Sequence, residues 1–129
     1  MADERTTVLV VDDTPENIRV LTAILGPSYR VKAATSGEKA LQMCAADPLP
    51  DLVLLDVVMP GIDGWEVCRR LKADVRTAGV PVIFVSGTAG EGERSRARSL
   101  GAADFILKPL DPADVLARVA ALVRCGGSR

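Results

Sequence analysis

The chain of 129 residues contains no histidine. That excludes a Ser-His-Asp triad, a histidine general base and most zinc sites. Any chemistry must run on carboxylates, hydroxyls, lysines or a metal. Cysteines are scarce: three, odd in number and without metal-ligand spacing, as expected in a reducing compartment. Cys44 and Cys68 fall on apolar helix faces and read as small core residues, whereas Cys125 in CGGSR reads as an exposed, oxidisable thiol. No apolar run approaches the roughly 20 residues that span a bilayer. The opening MADERTT is polar and carries no signal-peptide core, so cytoplasm is the default location. A surplus of positive charge is also missing. Sixteen basic residues face seventeen acidic ones, a net charge of −1, which argues against a general nucleic-acid or membrane-surface binder. Arg94, Arg96 and Arg98 cluster, but Glu91 and Glu93 precede them, the pattern of a solvated helix face.

What is present is an ordinary globular balance, 48% hydrophobic and 26% charged, enough for one domain with a real core. The runs VLVV at 8–11, LVLL at 52–55 and VPVIFV at 80–85 are continuous rather than alternating. Such strands are buried on both faces, as in a parallel sheet. The more polar SYRVKAA at 28–34 and the short FIL at 105–107 suit the sheet edges. Helical patterns lie between. Thr14 followed by Pro15 starts the first, with Ile18, Leu21 and Ile24 or Leu25 as its stripe, and Gly26-Pro27 stops it. TSGE at 35–38 predicts a capping box for the second, with Leu41, Cys44 and Ala45 facing inward. The third follows Gly64 and buries Val67 or Cys68, Leu71 and Val75. The fourth, about 90–99, is poor and has only Ala97 and Leu100 to bury. The fifth starts near Asp111-Pro112 and carries Val115, Leu116, Val119, Leu122 and Val123. The alternation βα repeats five times, and right-handed crossovers place helices on both faces of one sheet.

Polar residues follow the carboxyl ends of these strands: Asp12 and Asp13, then Asp56, Ser86 and Lys108. Open α/β sheets bind ligands along that edge. Each residue alone has a plainer reading. Asp13 or Asp63 could cap a helix, Lys108 could be a surface lysine and Ser86 a turn residue. The set on one rim is harder to dismiss. Three neighbouring carboxylates repel unless a cation intervenes, and an all-oxygen donor set favours magnesium. Magnesium beside a lysine and a hydroxyl is what a phosphoryl group needs around it. Asp12 and Asp13 form a pair suited to metal, while Asp56 stands free to attack as a nucleophile. Competing phosphate sites are absent: there is no G-x-x-x-x-G-K-[ST] and no G-x-G-x-x-G. Neither acidic site shows the D-x-D of haloacid-dehalogenase-type phosphatases.

VLVVDD at 8–13, LLDVVMPGIDG at 54–64, VIFVSG at 82–87 and GAADFILKP at 101–109 together resemble the receiver domain of two-component response regulators, chemotaxis-regulator-like. The resemblance covers nearly the whole chain. It implies a flavodoxin-like α/β fold, a single doubly wound five-stranded parallel sheet of order 2-1-3-4-5 with five helices. Residues 1–124 would be the receiver and 125–129 a tail or linker remnant, from a stand-alone receiver or one cut from a larger regulator or hybrid kinase. Asp56 would accept phosphate from a histidine on a sensor kinase or phosphotransfer protein. Asp12, Asp13, Asp56 and the backbone carbonyl of Val58 would hold Mg2+, for which Mn2+ could substitute. Lys108 would pair with the phosphoryl oxygens and Ser86 would hydrogen-bond them. Phe105 would turn inward as Ser86 moves, reshaping the surface of helix 4, strand 5 and helix 5, where an output domain, a downstream protein or a second copy could dock. The Lys108–Pro109 bond would be cis. Ser86 stands where threonine is commoner. Val58 cannot orient an attacking water, which implies a long-lived aspartyl phosphate. Trp65 reads as core packing. Two rivals stay open: a magnesium-dependent phosphatase or phosphotransferase, and a degenerate receiver acting as a constitutive interaction module.

Overall fold

The computed structural model describes residues 6–46, 48–87 and 90–127. Five strands, β1 (Thr7–Val11), β2 (Arg30–Ala34), β3 (Leu52–Asp56), β4 (Val82–Ser86) and β5 (Asp104–Leu107), alternate with five helices. These are α1 (Pro15–Leu25), α2 (Gly37–Ala45), α3 (Gly64–Ala73), α4 (Glu91–Ser99) and α5 (Pro112–Gly127). The strands form one parallel sheet in the order β2-β1-β3-β4-β5. Strands β3 and β4 are buried along their whole length, and the polar β2 and the short β5 lie at the edges.

Side chains alternate across a strand, so the continuous apolar runs build two cores. Leu9, Val11, Val53, Leu55, Val82, Phe84 and Phe105 pack with Ala40 and Cys44 of α2, Val67, Cys68 and Leu71 of α3, and Ala97 of α4. Val8, Val10, Leu52, Leu54, Ile83, Val85 and Ile106 pack on the other face with Leu21 and Leu25 of α1 and Val115 and Val119 of α5. Burial pushes the Cys44 and Cys68 thiols up, holding both uncharged. The Cys125 side chain lies outside the described residues.

Local starts and stops differ from the sequence reading in four places. Thr14 occupies the N-cap of α1, but its hydroxyl makes no capping bond. Its backbone N–H donates instead to Asp12 Oδ1 at 2.9 Å. Ser36, not Thr35, caps α2 by accepting from Lys39 N at 3.1 Å. The Glu38 carboxylate, predicted to close that box, reaches away and accepts from Ile62 N at 3.4 Å. Ala45, in the last turn of α2, is exposed. Val75 is not buried but 91% exposed, because α3 ends at Ala73. Asp74 then accepts from Arg76 N at 2.9 Å and turns the chain outward.

One close approach positions the loop after β3. Gly64 N donates to Val57 O at 2.8 Å, and a Cβ on Gly64 would sit 2.2 Å from Asp56 O. The start of α3 therefore rests directly on the backbone of the strand tip, a packing that only glycine permits. Asp63 caps α3 beside it, accepting from Glu66 N at 3.0 Å.

Gly64→Ala should destabilise the fold by about 1–3 kcal/mol in urea denaturation, since the contact it overpacks is backbone. In the same assay Leu55→Ala should cost about 2–5 kcal/mol. Val75→Ala should stay within about 0.5 kcal/mol, and a large loss there would restore the longer helix.

Candidate functional site

The rim at the carboxyl ends of the strands is assembled by register. Val11 of β1 pairs with Leu55 of β3, so Asp12 and Asp56, each one residue further on, emerge side by side. Asp56 pairs with Val85 of β4, and Ser86 pairs with Leu107 of β5. Lys108 N donates to Ser86 O at 2.8 Å, which fixes the lysine backbone against the end of β4. Its side chain crosses the rim to lie 3.5 Å from Asp56 Oδ1 and 3.8 Å from Asp12 Oδ2.

Asp12 is 2% exposed and Asp56 7% exposed, whereas Asp13 is open to solvent. Each of the three can place a carboxylate oxygen within 4.8 Å of the others'. Asp12 is oriented by its bond to Thr14 N, leaving its second oxygen toward Lys108. Burial, above all, raises the Asp56 pKa from its ordinary value; the Asp12 charge raises it further, Lys108 opposes both and Asp13 adds a weaker push upward. Three carboxylates against one ammonium leave the cluster short of positive charge. The donors are all oxygen, part buried and part open, and this fits a hard divalent cation such as Mg2+. Ser86 is 4% exposed beside them.

The other predicted positions fall nearby. Val58, two residues past Asp56, holds its side chain out at 76% exposure. The Lys108–Pro109 bond is cis. Phe105 is already inside the core at 6% exposure, with the Arg94 guanidinium 5.4 Å above its ring. Trp65 packs as expected, its ring 4.7 Å from that of Phe84. Gly64 went unrecognised as a site-forming residue. Its only signal in the sequence was its place in PGIDG, directly before a helix.

Residues 8–120 match the profile of the response regulator receiver domain. The response regulator PleD of Caulobacter vibrioides is 47% identical over 118 residues, covering 91% of this chain and 26% of PleD. A probable cyclic di-GMP phosphodiesterase of Vibrio cholerae is 43% identical over 104 residues, 81% of this chain and 23% of that protein. The chain thus spans about a quarter of the length of these relatives. A putative response regulator from Chloroflexus aurantiacus superposes with a TM-score of 0.88 at 32% identity, covering 94% of this chain and 99% of that one. Five parallel strands in the order 2-1-3-4-5, an aspartate cluster at their tips and a profile match along most of the length agree: the chain belongs to the receiver-domain family of two-component response regulators.

Proposed function

We propose that Asp56 takes a phosphoryl group from a phosphohistidine on a sensor kinase or phosphotransfer protein, and that the domain catalyses only its own phosphorylation and its dephosphorylation, in which water takes the phosphoryl group from Asp56 as inorganic phosphate. The observation that carries the reading is the convergence of Asp56, Asp12 and Lys108 at 3.5 and 3.8 Å on one strand-tip rim. Family membership supports it. Transfer forms a bond from an Asp56 carboxylate oxygen to phosphorus and breaks the phosphorus–nitrogen bond, whose electron pair leaves on the imidazole. Asp12, Asp13, Asp56 and the Val58 carbonyl would hold Mg2+, with Mn2+ as a substitute; the bound cation supplies positive charge against the phosphoryl oxygens.

The chain's own residues do the rest. Lys108 favours the ionised form of Asp56 against the larger opposing effect of burial, and after transfer its ammonium pairs with a phosphoryl oxygen. The Ser86 hydroxyl donates to another. Val58 offers no group that could orient an attacking water, so the acyl phosphate is long-lived. Ser86 and Phe105 pass the change to the surface of α4, β5 and α5, where an output domain, a downstream protein or a second copy of the chain docks. The profile match over 8–120 supports treating 1–124 as the receiver unit. Among the described residues no helix is long and apolar enough to cross a membrane, which is compatible with work in the cytoplasm.

Acetyl phosphate with magnesium should label the wild type, and chelation or Asp56→Asn should abolish the label. The label should outlast a chase of minutes in purified protein; decay within seconds would contradict the role given to Val58. Catalytic turnover of an acid-stable phosphate ester would favour the phosphatase, and no label at all would favour a constitutive interaction module.

A further inference from the structure

The chain has four aromatic residues, and three of them form one row beneath α4. Trp65, at the start of α3, lies against Phe84 of β4 with ring centroids 4.7 Å apart and planes inclined by 50°. Phe84 is the register partner of Phe105 on β5. Phe84 also precedes Ser86 by two residues, so both point to the same face of the sheet. The row thus begins beside the acidic rim and runs under the helix.

Helix α4 has little else to hold it. Its sequence EGERSRARS buries only Ala97, with Leu100 just beyond it partly buried. Two of its arginines instead reach the two ends of the row. Arg96 lies 4.7 Å over the Trp65 ring and Arg94 lies 5.4 Å over the Phe105 ring. Residues two apart on a helix diverge by about 200°, so these side chains leave opposite flanks and straddle Ala97. Both distances are within the range in which a guanidinium is attracted to a ring face. Each such contact at an exposed site changes an equilibrium by roughly 2- to 5-fold.

We infer that Arg94 and Arg96 are a two-armed clamp that seats α4 on the aromatic row, and that Arg96 is the positioning residue through which a change at Asp56 and Ser86 reaches α4. The inference rests on the phosphoacceptor reading. Repacking of β4 beside Ser86 moves Phe84, Phe84 moves Trp65, and the Arg96 arm then loosens or tightens. Trp65 is the sole tryptophan, so its emission reports this arm without labelling.

The test uses the full chain with magnesium and beryllofluoride as the phosphoryl mimic, alongside Arg96→Gln, Arg94→Gln, the double variant, and Arg98→Gln as the control for charge on the same helix. Without the mimic, amide exchange across α4 should quicken by about 2- to 5-fold in each single variant and by about 4- to 25-fold in the double. Exchange in β1, β3 and β4 should not change. Acrylamide quenching of Trp65 should rise in Arg96→Gln and stay at the wild-type value in Arg98→Gln. Binding of the mimic should alter Trp65 emission in the wild type, and at equal occupancy Arg96→Gln should lose that change. Exchange and quenching at wild-type values in Arg96→Gln, or equal effects from Arg98→Gln, would overturn the clamp. A full emission response in Arg96→Gln would overturn the coupling. A wild type that binds no beryllofluoride would overturn the phosphoacceptor reading, and the coupling with it.

Discussion

Like charges at the tips of adjacent strands are the constraint on which this molecule turns. Asp12 and Asp56 emerge side by side because β1 and β3 pair in register, and both are nearly buried. Burial, and after it the Asp12 charge alongside, makes the ionised form of Asp56 costly. Lys108 relieves part of that cost from the far side of β4, at 3.5 and 3.8 Å. The remaining deficit of positive charge makes the rim a fitting place for a hard cation. A parallel sheet supplies this geometry without special loops, since every strand ends on the same edge.

The rigid and the loosely held parts of the fold divide accordingly. The three central strands are packed on both faces, and their tips cannot drift independently. The start of α3 is pressed onto the Asp56 backbone at Gly64. Helix α4, by contrast, contributes one buried alanine to the core. A site that must keep oxygens in place stands beside a helix that little apolar burial retains, the arrangement a switch needs between sensing and output.

Much of this was legible in the residues. Continuous runs such as LVLL and VIFV announce strands covered on both sides, and acids directly after them announce the rim. Asp12 and Asp13 as a metal pair and Asp56 as a nucleophile followed from charge and position, whereas the strand order and the parts of Val58 and Phe105 came from the family resemblance, because nothing in the spacing alone orders parallel strands. What the sequence obscured was tertiary or close to a boundary. Ser36 and Thr35 are equivalent caps on paper, and the chain uses the one nearer the helix. Val75 continues an apolar periodicity, but Asp74 ends the helix first. Gly64 is legible in the sequence only as the residue that the third helix follows, since its close approach to Asp56 O is tertiary. The arginines at 94 and 96 read as a solvated face, and they are exposed, yet each lies over a ring brought there by the sheet.

The most direct measurement is a magnesium titration of thermal stability, comparing the wild type with Asp13→Asn. Asp13 is exposed, so its replacement leaves the core intact while exchanging one anionic carboxylate of the cluster for a neutral amide. The wild type should gain stability with the logarithm of the magnesium concentration once that exceeds the dissociation constant, and the variant should need far more of the ion for the same gain. A melting temperature indifferent to magnesium, or an identical response from Asp13→Asn, would show that these carboxylates do not act as one site.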